Sequence, residues 1–242
     1  MRRTQVLCSS VAVAAGLLVS ASAHAAVVTW SAPTPIVNDG DVITTGALVY
    51  AFNFSQTQLP VTVNTVPFAQ FAVPNGGNAI VGNNATATIG FQDLESSNTS
   101  YGSTAAPFST LSASYQALVG SGVGSSTGAT LTLNLFSLNN GSTYLIQLWC
   151  NDSDLLHGGT PTIFGAGNSV SAPSNTSGSG GLGTWVSGTF TATGTSQAIT
   201  VSGVSPAAHP IINAFQLREV PTPGAAALLG LGGLVVARRR RR

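Results

Sequence analysis

Residues 130–151 read TLTLNLFSLNNGSTYLIQLWCN, and this stretch decides the fold class. Leu131, Leu133 and Leu135 share one side of an extended chain, opposite Thr132 and Asn134. After the break, Tyr144, Ile146, Leu148 and Cys150 oppose Leu145, Gln147, Trp149 and Asn151. Side chains alternate across a strand, so a period of two marks strands that bury one face. Between the two runs, Asn139-Asn140-Gly141 carries the Asn-Gly signal of a tight hairpin, which predicts that the strands pair with each other.

Outward from this stretch the same texture recurs. Strand-like runs lie at 27–30, 47–54, 66–73, 85–91, 185–193, 197–201 and 211–220, with Phe215 and Leu217 opposing Gln216 and Arg218 in the last. Residues 111–119 alone suggest a short helix, and no repeat of fixed period is present. Residues 165–184, rich in Gly, Ser and Asn, read as a long mobile loop. Many strands separated by Gly/Ser/Thr turns predict an all-β, antiparallel sandwich of jelly-roll type over residues 26–219.

The ends have a different chemistry. Met1-Arg2-Arg3, an apolar or small run over 6–19 and the small residues Ala23 and Ala25 form a secretion signal, with signal peptidase cutting after Ala25. Removal of residues 1–25 leaves Cys150 as the sole cysteine, so no intramolecular disulfide is expected. At the other end, Pro221 and Pro223 stop a helix from running upstream, and residues 224–237 carry no polar side chain. Fourteen helical residues span about 21 Å, short of the ~30 Å hydrocarbon core. Arg238, Arg239, Arg240, Arg241 and Arg242 close the chain and would stay on the cytoplasmic side of the inner membrane, which the tail engages transiently.

The order Val220-Pro221-Thr222-Pro223, a Gly/Ala/Leu segment and an arginine cluster resembles the PEP-CTERM sorting signal of Gram-negative bacteria. Thr222 stands where the family's name motif has glutamate. The resemblance covers residues 220–242 and implies recognition by an exosortase, a membrane protease-transpeptidase, and delivery to the cell envelope or an extracellular polysaccharide matrix. The pattern around 134–154 and 213–217 is similar to exported galactose-binding-like sandwiches.

Composition narrows what the middle can do. Residues 26–220 hold one arginine and seven carboxylates, net −6, so nucleic acid is not an expected partner. The chain contains no lysine, which excludes a lysine Schiff base and a P-loop. Charged residues make up 6% of the chain, against about 25% in an ordinary soluble domain. Its 55 serines and threonines supply a surface wetted by hydroxyls instead.

Several residues are candidates for a site, each against a plainer reading. Asp152 and Asp154, followed by His157, lie past the end of a strand, and Asp39 and Asp41 form a second acidic run. Alternating carboxylates on a loop are Ca²⁺ ligands in type, but Asp and Asn also cap turns. Trp149, Trp185, Tyr101 and Tyr115 are candidate platforms for sugar rings, with burial in the core as the alternative. Asp93 and Glu95 could pair as glycosidase carboxyls, although any two surface acids look alike in sequence. His157 and His209 lack a Gly-x-Ser-x-Gly partner, and Cys150 falls in an apolar register that predicts an inert, buried thiol. The six Asn-x-Ser/Thr sequons at Asn53, Asn84, Asn98, Asn140, Asn151 and Asn175 are what a chain rich in these residues produces by chance. No residue requires an enzyme or a cofactor. The expectation is a non-enzymatic, structural or adhesive envelope protein. The alternatives are a carbohydrate-binding module, calcium-assisted or not, and a hydrolase of matrix glycans.

Overall fold

A computed structural model describes residues 25–54, 60–71, 83–84, 87–92, 96–98, 101–124, 130–155, 159–205 and 208–221. The strands in chain order are β1 (Thr29–Trp30), β2 (Thr34–Pro35), β3 (Ala47–Phe54), β4 (Val61–Val63), β5 (Val66–Phe71), β6 (Asn83–Asn84), β7 (Ala87–Gln92) and β8 (Ser96–Asn98). Helix α1 (Ala113–Val119) follows, then β9 (Gly122–Gly124), β10 (Thr130–Phe136), β11 (Thr143–Cys150), β12 (Thr162–Ala166) and β13 (Asn168–Ala172). The chain closes with β14 (Thr184–Thr191), β15 (Ser196–Gly203), β16 (Ile211–Ile212) and β17 (Ala214–Val220).

Two sheets form the sandwich. The larger runs β1-β14-β11-β17-β3-β5-β4, with β2 also on β14, and the smaller runs β13-β12-β15-β10-β7-β6. A third, β16-β9-β8, closes one end. From β10 to β17 the chain crosses repeatedly between the two main sheets, with β10, β12, β13 and β15 in the smaller and β11, β14 and β17 in the larger, so most neighbours in space are distant in sequence. This is the winding of a jelly roll, and the fold is all-β as the alternation predicts. Among the described strands one pairing, β3 with β5, is parallel; the rest are antiparallel.

The inner faces meet in one core. Leu131, Leu133 and Leu135 of β10 and Ile199 and Val201 of β15 pack toward Tyr144, Ile146 and Leu148 of β11 and Phe215 and Leu217 of β17. Each fully buried side chain of this kind contributes about 1.5–3 kcal/mol. Rings concentrate at one end, where Phe215 stacks on Phe52 and on Phe54 at centroid distances of 5.8 and 5.6 Å.

A second core lies on the outer face of the larger sheet. Ala51, Trp149 and Ala214 are covered there by Ile36, Val42, Phe68, Phe108, Tyr115 and Leu118 from the N-terminal segment, β5, the 3₁₀ turn at Phe108–Thr110 and α1. The segment at 41–46 is held by side chains of the sheet rather than by a ladder. Gln147 Nε2 donates to Asp41 O at 2.7 Å, Gln216 Nε2 to Ile43 O at 2.9 Å, and Arg218 to the carbonyls of Thr44, Thr45 and Gly46 at 2.8–3.3 Å. The polar register opposite Phe215 and Leu217 is therefore buried as well.

Two sequence expectations need correction. The turn at Asn139-Asn140-Gly141 exists, with Ser142 N donating to Asn139 O at 3.1 Å and Gly141 at φ +86°. It does not make a hairpin, because β10 and β11 lie in different sheets. Both strands are amphipathic toward the same core, and two such faces can also meet across the sandwich. The turn carries the chain over, with Leu138 plugging the end and Tyr144 OH accepting from Asn139 N at 2.8 Å. Residues 165–184 are likewise not a long loop. Gly167, at φ +76°, turns β12 into β13, and the rest is fastened by short polar side chains. Asn175 alone accepts from the backbone N–H groups of Ser177 and Gly178 and donates to Asp152 O at 2.9 Å. Gly, Ser and Asn here supply turns and hydrogen bonds, not slack.

Candidate functional site at the edge of the sandwich

Helix α1 and the turn at Asp39–Asp41 account for the first acidic pair. Asn38 caps a single 3₁₀ turn: Asn38 Oδ1 accepts from Gly40 N at 2.8 Å, and Asp41 Oδ2 accepts from Asn38 N at 3.0 Å and Val37 N at 2.7 Å. Asp41 Oδ2 also accepts from Tyr115 OH at 3.1 Å, while Asp39 Oδ1 accepts from the Ser112 hydroxyl at 2.6 Å. Ser112 is the N-cap of α1. These carboxylates join the turn to the helix.

Asp152 has no solvent exposure. Its Oδ2 accepts from Gly159 N at 3.0 Å and its own N–H donates to Ser174 O at 2.7 Å, so it pins the loop end of β11. Asp154 beside it is half-buried. No group of three or more His, Cys, Asp or Glu with the spacing of a metal site occurs among the described residues. The same loop is organised by a pair of amides, Asn151 and Asn213, which in sequence stood out only as a sequon and as part of a strand-like run. Asn151 N donates to Asn213 Oδ1 at 2.6 Å, and Asn213 Nδ2 donates to the carbonyls of Val119, Ser121 and Asn151. Both are fully buried, as is Asn53, so the sequons at Asn53 and Asn151 are closed to modification.

The aromatic candidates are distributed differently from one another. Trp149 is fully buried, with its indole N–H donating to Tyr115 OH at 3.0 Å and its ring edge-on to Phe68. Tyr101 and Tyr115 are also fully buried, and burial raises both hydroxyls far above the ordinary tyrosine range. Trp185, the cross-strand partner of Trp149, is half-buried against the second core. Cys150 lies in the inner core, where burial pushes its thiol up to about 12. His209 is half-buried at the approach to β16. Asp93, Glu95 and His157 lie outside the described residues, as do Thr222, Pro223 and the terminal arginines. Val220 is the last residue of β17, with Pro221 exposed after it. No helix among the described residues is long and apolar enough to cross a membrane.

The side chain that does sit at an open concave surface is Trp30. In β1 it pairs with Gly188 of β14. A Cβ at Gly188 would lie 2.7 Å from the indole, so the missing side chain is what lets the ring lie down on the strand. The indole N–H donates to Asn168 O at 3.2 Å, bridging the edge of the larger sheet to β13 of the smaller. Thr200 Oγ1 donates to Gly165 O at 3.0 Å and draws β15 to β12 beside it. The resulting groove, about 880 Å³, is lined by Trp30, Thr29, Asn168, Ser169, Thr200 and the backbone of Gly165 and Gly167, with no charged side chain. A half-exposed ring beside hydroxyls, an amide and bare backbone suits a ligand that offers both C–H faces and hydroxyls. In sequence the signal was faint: a tryptophan in a two-residue strand, and a glycine between Ser187 and Thr189 far along the chain.

No known family model matches this chain, and no curated protein matches it. Among solved structures it is similar to the CBM35 from Cellvibrio japonicus Abf62, at 11% identity and a TM-score of 0.31, over 71% of this chain and 94% of that one. The sheet assignment stands on the hydrogen-bond ladders alone.

Proposed function

We propose that this protein is an exported, non-enzymatic β-sandwich that adheres to glycan in the cell envelope or extracellular matrix, with the Trp30 groove as its contact. The observation that carries this reading is the groove itself: a half-exposed indole on Gly188, ringed by uncharged hydroxyl, amide and backbone groups. Delivery belongs to the same reading. Export would be signalled by residues 1–25, and residues 220–242 would be handled by an exosortase-type protease. Because neither ring, hydroxyl nor amide needs a cation to meet a sugar, binding is expected without calcium.

A glycan array with and without chelator tests this, using the processed chain and its Trp30→Ala variant. Binding that survives chelation and falls at least about tenfold in the variant, the equivalent of 1.4 kcal/mol, is the expected result. Binding lost on chelation would overturn the expectation of cation-free binding. Binding unchanged in Trp30→Ala would remove the groove from the proposal.

A further inference from the structure

Gln197 occupies an inward-facing position of β15, on the same side as Ile199 and Val201 and opposite Leu135 in register. It is 2% exposed. A primary amide among aliphatic side chains must have partners at both ends, since each unmet polar group there costs about 1–3 kcal/mol. Gln197 meets them on a residue 171 positions away. Ala26 N donates to Gln197 Oε1 at 2.8 Å, and Gln197 Nε2 donates to Ala26 O at 3.1 Å, with a further bond to Ala198 O at 3.0 Å. The amide thus reads the backbone of one residue, from both sides. Ala26 is half-buried against the inner core, whereas Ala25 is exposed and lines the Trp30 groove. Ala26 is also the residue that export cleavage after Ala25 would place first.

We infer that Gln197 is a receptor for the amino terminus of the processed chain, and that cleavage after Ala25 both strengthens the contact Ala26 already makes and frees the mouth of the Trp30 groove. The ligand of Gln197 is a primary α-ammonium. Its bond to the amide oxygen is charge-assisted and stronger than that of the peptide N–H it replaces. Before cleavage, Ala25 lines the groove; afterwards it is gone and only the docked Ala26 remains. Opening of the groove rests on the glycan reading above; docking of the terminus does not.

The absence of lysine makes the test clean, because the α-amine is the only primary amine in the chain. Two proteins with the native C-terminus are released from a fusion partner by a protease that leaves no extra residue, one beginning at Ala26 and one at Ser22. Each is acylated with an N-hydroxysuccinimide ester and followed by intact-mass spectrometry. The Ala26 amine should react at least about tenfold more slowly than the Ser22 amine, reflecting its charge-assisted bond, and the protection should vanish in urea. Gln197→Leu, which leaves an apolar side chain in an apolar core, should also abolish it, and Gln197→Glu should keep it. Should Gln197→Leu not fold, the two starting points still decide the matter. Equal acylation rates would overturn the docking. Titration of indole fluorescence with cellohexaose and laminarihexaose should then show at least about tenfold tighter binding by the chain beginning at Ala26. Equal binding by both chains would overturn the opening of the groove. Binding by neither would remove the glycan reading, and acylation would decide the docking alone.

Discussion

A single arginine shows how much depends on individual polar groups in a protein with so few charges. Arg218 is 6% exposed and its guanidinium holds three successive carbonyls at 44–46 together with Gln216 Oε1 at 3.0 Å. Burial lowers its pKa from the usual value, though the group stays cationic at any ordinary pH. Lysine cannot reproduce the planar fork, so Arg218→Lys is expected to cost about 1.5–3 kcal/mol in a urea titration. Cys150 makes the complementary case. Its folded thiol pKa is raised to about 12 by burial, so at pH 8 it is un-ionised as well as enclosed. Iodoacetamide should leave it unmodified under native conditions and alkylate it rapidly in denaturant. Because the folded pKa is raised, the neutral form is the one the fold favours. Stability therefore falls as pH rises past the unfolded value of about 8.5 toward the folded one.

At the scale of the element, register decides which side chains meet. Gly188 lies opposite Trp30, and its missing Cβ would stand 2.5 Å from Val28 and 2.7 Å from the indole. Gly188→Ala must therefore push β1 away from β14. We expect a loss of about 1–3 kcal/mol by overpacking, with a red shift of the Trp30 emission as the ring leaves its seat. Helix α1 is tied to the larger sheet by a relay in which Trp149 Nε1 donates to Tyr115 OH, which donates to Asp41. Tyr115→Phe leaves the buried indole N–H without its acceptor and should cost about 1–3 kcal/mol, measured by thermal or urea unfolding. The inverse substitution, Trp149→Phe, removes the donor but opens space beside Phe68, so its cost is a cavity rather than an orphan.

For the whole molecule, β17 is the element that joins fold to tail. It lies between β11 and β3 in the middle of the larger sheet and runs through Val220, so its hydrogen-bond ladder reaches the first residue of the segment proposed to act in sorting. A chain ending at Pro221 keeps every described strand. Its melting temperature should match that of the full-length protein to within about 2 °C, the shift of a change smaller than 1 kcal/mol. A larger fall would show that residues beyond 221 belong to the fold. Under the proposed sorting role, replacing Arg238–Arg242 with serine should likewise leave the melting temperature in place while changing cell fractionation, and unchanged fractionation would remove the arginines from that proposal.

The all-β class, the inward registers of β10, β11 and β17 and the short helix were legible in the sequence, because each follows from the period of local hydrophobicity, which a strand or helix expresses by itself. What local periodicity cannot carry is which layer a strand joins. Leu131–Leu135 and Tyr144–Cys150 look the same whether they pair side by side or face each other, and only the competition of all strands for one core put them in opposite sheets. The candidate site escaped for a related reason. Trp30, Gly188, Asn168 and Thr200 come from four strands, and none is unusual until the sandwich brings its edges together. Trp149 and Asp152 stood out in sequence because one is large and the other charged, yet burial is decided by what covers a residue, and that cover comes from 36–42, α1 and 174–183. Composition, by contrast, belongs to the chain alone: the absence of lysine and the scarcity of charge exclude whole classes of chemistry, whatever shape the strands take.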